Sequence, residues 1–243
     1  MIIKNIFKIH PFYYFFALIS VFTGNFKNFI LFSVIILVHE FGHLFMALIL
    51  KWKVENVLLL PFGGVTIFNE DLNRPIIEEF LILICGPLLQ VLFVYFFRYN
   101  YILVTYSNIL LLFNLLPIYP LDGSKLLNLF LNLFFSFKRS HLFSIYFSFV
   151  VIILVFIKYD FSLMLVLIFL FVFFKVLDEF RNHNNIFNRF LLERYTKDFK
   201  FKKNKVIKSN DLRKMKRDFK HVFLDGGVYI TEKSMLKKRF DFK

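Results

Sequence analysis

The sequence predicts an all-α polytopic membrane protein of about six transmembrane helices, with a β-hairpin at the membrane edge and a small cytoplasmic α/β tail. Three observations carry this. Hydrophobic side chains make up 58% of the 243 residues and charged ones only 20%. The chain holds 39 phenylalanines, more than a soluble core of this size uses. Several runs approach or exceed the ~20 apolar residues that span a bilayer. A soluble helical protein with this composition would carry an almost wholly apolar surface, which argues against that alternative.

In chain order, the predicted spans are 9–22, 28–50, 76–97, 99–121, 142–157 and 161–177. The first is short and contains Pro11, so a tilted, interfacial or re-entrant segment stays open. Orientation follows from the basic residues of the loops. An inside N-terminus leaves Lys4, Lys8, Lys51, Lys53, Arg74, Lys125, Lys138 and Arg139 cytoplasmic, against Lys27, Arg98 and Lys158 outside. Both termini are therefore expected in the cytoplasm.

Between the second and third spans, "VLLLPFGGVTIF" places Pro61, Gly63 and Gly64 between apolar, β-prone flanks. This reads as a hairpin dipping into the membrane edge. After the fourth span, "SKLLNLFLNLFFSF" reads as an amphipathic helix along the interface.

The net charge of +14 gathers at the end of the chain: residues 178–243 hold 19 Lys/Arg against 9 Asp/Glu, and residues 1–177 hold 12 against 8. A basic tail beside membrane helices predicts contact with anionic lipid. It carries no recognised nucleic-acid motif, so no nucleic-acid partner is expected. The domains are a transmembrane unit over 1–180, a linker helix over 181–195 and a basic tail over 196–243. The lone Cys85 allows no internal disulfide and no thiolate cluster, and reads as a small core residue.

The chemistry concentrates in "VHEFGHL". Residues four apart on a helix face nearly the same way, so His39 and His43 point at one metal ion, and Glu40 reaches a water there as general base. Two histidines pairing in a helical bundle is the plainer alternative. Ionisable groups at membrane depth are costly, however, and are usually functional.

A catalytic zinc takes a third protein ligand and leaves one position open. Glu55, Glu70, Asp71, Glu78 and Glu79 lie in the loop or at its edge, and Asp160 lies on the far side. His141 begins another span. Asp122, in "NLLPIYPLDGS", shares the cytoplasmic depth of the two histidines. Pro117 and Pro120 are expected to let it approach from irregular backbone.

"KIHPF", "HEFGH", "LLPFGG", "NRP" followed by "EEF", "CGPL", "NLLPIYPLDG" and "FLLERY" occur in an order that resembles the site-2 protease family of intramembrane zinc metalloproteases. The resemblance is nearest to its sporulation branch, which releases a sigma factor from a membrane-bound precursor such as pro-sigma-K. It implies His39, His43 and Asp122 as zinc ligands and Glu40 as catalytic base. Asn114 and Pro120 match family positions near the substrate, and an interhelical hydrogen bond is the equal alternative for Asn114.

A peptide bond inside a regular helix is hidden by its own hydrogen bonds, so the substrate must be locally extended. The 57–68 hairpin, with Phe62, Gly63 and Gly64, either receives it as an added strand or is a simple turn. Ser124 stands where the family has glycine. "HVFLDGGVYITEKSMLKKRF" resembles one strand–turn–strand–helix piece of a cystathionine-β-synthase (CBS) domain, so no ATP site is expected, and dimerisation or substrate holding stays open for the tail.

The resemblance further implies a membrane inhibitory partner and an outer forespore membrane location. An anti-sigma factor is the alternative substrate. A zinc transporter is the alternative function, and it would need a second metal site or a polar path that the sequence lacks.

Overall fold

The computed structural model describes residues 7–158, 163–201 and 203–241. Lys4 and Asp160, used above, lie outside these, as do the first two residues of the sixth predicted span. In chain order the elements are β1 (Phe7–Ile9), α1 (Pro11–Phe22), α2 (Phe26–Ile49), β2 (Val54–Leu60), β3 (Gly63–Phe68), α3 (Ile76–Phe96) and α4 (Tyr101–Asn114). Then follow α5 (Asp122–Phe134), α6 (Phe137–Lys158), α7 (Leu163–Thr196), β4 (Lys203–Ile207), β5 (Phe219–Asp225), β6 (Val228–Thr231) and α8 (Glu232–Phe240).

The protein is thus mostly helical with two small sheets. Among the described residues, α2, α3 and α6 are long and apolar enough to cross a membrane. Two predicted spans resolve into shorter helices. α1 has 12 residues and α4 has 14, or ~18 and ~21 Å at 1.5 Å per residue, short of a ~30 Å hydrocarbon core. Pro11 opens α1, because residues before it are drawn into β1. The segment leading to Pro117 stops α4, since the residue before a proline is disfavoured in helix. The described part of the sixth predicted span and the linker form one 34-residue helix, α7.

The chain divides into two compact units. The first comprises Met1–Glu70, Glu78–Leu116 and Pro120–Gly123, and the second comprises Asp71–Ile77, Pro117–Tyr119 and Ser124–Lys243.

In the first unit β2 and β3 pair antiparallel around Pro61 and Phe62, with Leu60 opposite Gly63 and Leu59 opposite Gly64. β1, which the sequence did not reveal, adds in parallel on the other side of β2. α2 is two-faced. Ile35, Ile36, His39, Glu40, His43 and Ala47 are buried, while Leu37, Phe41, Phe45 and Leu48 are exposed. Ile35 and Ile36 pack with Val57 and Leu59 of β2 and Leu103 and Leu110 of α4. Gly42 brings α2 onto α3 backbone to backbone: a Cβ there would meet the Cys85 carbonyl and Gly86 Cα.

The second unit centres on Phe137, Phe190, Leu191, Met215, Phe223 and Leu236. β4 runs parallel to β5, and β5 antiparallel to β6. The β5–β6 turn uses Gly226 and Gly227 at φ 54° and 86°, positive values that suit a two-residue hairpin. Residues 219–240 thus run strand, turn, strand, helix, and β4 adds a strand not expected from the sequence.

Candidate metal centre

His39, Glu40 and His43 are 1–3% exposed and offer ligand atoms within 4.8 Å of one another. Their i, i+4 spacing on α2 sets both imidazoles on the inward face. Asp122, 83 positions along from His39, completes a triangle. Its Oδ2 lies 3.0 Å from His39 Nε2 and 3.0 Å from His43 Nε2, and the two Nε2 atoms are 3.0 Å apart.

Asp122 differs from expectation in one respect. It is the first residue of α5, not part of an irregular segment. A carboxylate is favoured there by the helix dipole. Gly123 makes the close turn possible, because a Cβ on it would overlap the Leu115 and Leu116 carbonyls.

Hydrogen positions on the imidazoles follow from their outer partners. Gln90 Nε2 donates to Ser107 O at 2.9 Å and Ser107 Oγ at 2.8 Å, which turns Gln90 Oε1 toward His39 Nδ1, 2.7 Å away. His43 Nδ1 lies 2.8 Å from the Ile82 carbonyl. Both outer partners only accept, so each Nδ1 carries the hydrogen and each Nε2 presents a lone pair in the neutral ring. Two lone pairs and a carboxylate oxygen therefore converge in a buried place. A cation relieves that repulsion, and two nitrogens with one oxygen form a donor set that zinc accepts. The residues present fit a metal.

Glu40 is held separately. Thr66 Oγ1 of β3 donates to Glu40 Oε2 at 2.7 Å. Gly64, also on β3, lies so close that a Cβ would overlap the Glu40 side chain, and a Cβ on Gly86 would overlap the His43 ring. The "PFGG" and "CGPL" glycines thus have a packing reason at the site itself.

Of the other predicted residues, Asn114 Nδ2 lies 3.3 Å from His39 Nε2, and a Cβ on Gly63 would sit 3.3 Å from Asn114 Oδ1. Phe62 is buried with its ring edge-on to Phe113 at 5.9 Å, and Pro120 is half-buried. The rival ligands go elsewhere. His141 Nε2 lies 3.3 Å from Glu179 Oε1, Glu78 accepts from the Trp52 indole, Glu70 from Lys53 N, and Asp71 pairs with Lys197. Sequence reading missed Gln90, Ser107 and Thr66. A polar residue inside an apolar run was the available signal for Gln90.

A model of peptidase family M50 matches residues 27–104. The chain is 34% identical over 202 residues to stage IV sporulation protein FB of Bacillus subtilis, covering 77% of this chain and 70% of that protein. It is 35% identical over 126 residues to a zinc metalloprotease of Methanocaldococcus jannaschii, covering 46% of this chain and 36% of that protein. Among solved structures it resembles a site-2 protease from Methanocaldococcus jannaschii, with TM-score 0.56 and 27% identity, covering 74% of this chain and 92% of the other.

Proposed function

Since this chain belongs to peptidase family M50, the site-2 proteases, we propose that its metal is zinc, held by His39, His43 and Asp122, and that Glu40 is its catalytic base. The protein is an integral membrane metalloendopeptidase acting on a protein substrate. The observation that carries the site assignment is the triangle of acceptor atoms 3.0 Å apart, whose imidazole hydrogens are committed to Gln90 and Ile82.

A zinc ion held by these three residues would polarise a peptide carbonyl and lower the pKa of a water toward ~7. Glu40, aimed by Thr66, takes a proton from the attacking water at one carboxylate oxygen and returns it to the leaving nitrogen. Asn114, beside His39 and Gly63, offers its amide to an extended substrate backbone. Phe62, Gly63 and Gly64 border that place, with Pro120 in the segment leading to Asp122.

The substrate proposed is a membrane-associated sigma-factor precursor of the pro-sigma-K type. The supports are the sporulation relative and the motif order of the sporulation branch. Loop charge supports both termini in the cytoplasm, and the sporulation relative supports an outer forespore membrane location and a membrane inhibitory partner. The tail is assigned to dimerisation or substrate holding.

Coexpression with the candidate precursor tests this. The wild type should produce a smaller product, and Glu40→Gln should abolish it while zinc, measured by mass spectrometry of the metal, stays stoichiometric. Full processing by Glu40→Gln would refute its role.

A further inference from the structure

The second unit contains a basic corner whose surroundings specify a ligand. The chain enters the crossing helix α6 at Phe137, whose N–H donates to Met215 O at 3.0 Å. The next residue, Lys216, donates through Nζ to the Phe134 carbonyl and, at 3.4 Å, to the Leu133 carbonyl. These are the last carbonyls of α5, the negative end of that helix. Lys216 therefore stands where the chain passes from an amphipathic helix into a membrane span.

The Lys205 side chain of β4 reaches that of Lys216, and Lys203 lies two residues along on the same strand face. Both ammonium groups sit over the Phe219 ring, at 5.8 and 6.0 Å. Burial first and the like charge of Lys205 second hold the Lys216 ammonium below the usual lysine range. Among the described residues none of these three lysines pairs with a carboxylate. Beside them α5 exposes Phe130, Leu133 and Phe134 by 59, 55 and 59%.

Clustered like charge is unfavourable until an anion shares it. An apolar patch next to that charge, at the start of a crossing helix, adds a second requirement. We propose that this corner binds an anionic phospholipid, with its phosphate on Lys203, Lys205 and Lys216 and its acyl chains on Phe130, Leu133 and Phe134. A free phosphate would use only the lysines, and a nucleic acid could stack on Phe130 or Phe134 but would not reach the apolar start of a membrane span as acyl chains do. The occupant that satisfies both halves is a lipid.

The full-length protein in nanodiscs of mixed phosphatidylcholine and phosphatidylglycerol provides the test, with retained lipids counted by native mass spectrometry. A lysine near an anionic surface is worth roughly fivefold in binding. Phosphatidylglycerol should be retained at least ~fivefold above its share of the bilayer. The double variant K203Q/K205Q, which leaves the Lys216 bonds to α5 in place, should return retention to that share. K237Q/K238Q removes the same charge from α8 and should leave the enrichment intact.

Enrichment that survives K203Q/K205Q, or falls equally in both double variants, would overturn the proposal. So would displacement of the lipid by inorganic phosphate at concentrations where chloride has no effect, or oligonucleotide binding abolished by K203Q/K205Q.

Discussion

Two regions of this protein bury charge, and they do so in opposite ways. In the second unit Arg194 is 6% exposed. Its guanidinium donates to Asn73 Oδ1, the Phe219 and Lys216 carbonyls and Glu232 Oε1, between the rings of Phe190 and Phe201. Glu232 Oε2 accepts from His221 N at 2.8 Å, and His221 Nε2 accepts from Lys216 N at 3.1 Å. In this cluster each named donor meets an acceptor. In the first unit His39, His43 and Asp122 turn three acceptor atoms toward one another. Burial of polar groups is therefore not what marks a functional site. Convergence of acceptor atoms on one point is what calls for a cation.

The contrast is most open to attack at the proposed metal ligands. Asp122→Ala should abolish cleavage and weaken zinc binding by more than ~100-fold, since even outer-shell partners cost 10–100-fold. Metal content after dialysis against a graded chelator measures it, and the same variant should leave the unfolding of the second unit unchanged. Arg194→Ala should do the reverse. It removes the guanidinium that Glu232 and Asn73 bond and should destabilise the second unit by roughly 3–5 kcal/mol. Limited proteolysis and denaturant titration report this, while metal content stays stoichiometric.

Gln90→Leu tests whether the outer shell matters as the hydrogen assignment requires. It removes the acceptor that fixes the His39 tautomer, so zinc affinity should fall ~10–100-fold with the fold intact.

The smallest effect expected is on pH. Burial, followed by the nearby Arg194 and Lys205 charges acting against its bond to Glu232, holds His221 below its ordinary 6.5. The unfolded chain then binds the proton more readily than the folded one. The stability contributed by neutral His221 is complete above ~6.5 and is lost as pH falls from there toward the lower folded value. Glu232 is also held low, its burial being outweighed by His221 and Arg194. Its contribution disappears at more acid pH, as pH falls through its folded value. Thermal melts of the second unit should therefore shift downward below ~6.5, and Arg194→Ala should alter the lower part of that profile.

The residues proposed to hold the metal were legible to different degrees. His39 and His43 announce themselves because four-residue spacing puts them on one helix face whatever the rest of the chain does. Asp122 was legible through depth, since its segment ends a predicted span on the side where α2 is also predicted to end. Its place as the first residue of α5 was not, because two prolines suggest broken backbone and only the Gly123 packing lets a helix begin at once. Gln90 and Thr66 were invisible as site residues: they meet His39 and Glu40 across 51 and 26 positions, with no local pattern linking them. β1 was missed for the same reason, since a three-residue strand has no signal apart from the β2 edge it joins. The short α1 and α4 show the limit of hydropathy, which counts apolar residues and does not see where prolines and strand pairing stop a helix.

Composition and spacing alone determined that this chain lives in a bilayer and that α2 turns a histidine pair and a glutamate to one side. Both follow from local physics, the cost of apolar surface in water and the helical repeat. The tertiary structure decided which distant carboxylate joins them, which ring nitrogens carry hydrogen and which glycines give way to side chains. Each of those depends on atoms from separate parts of the chain meeting within a few ångströms, a distance that no local period encodes.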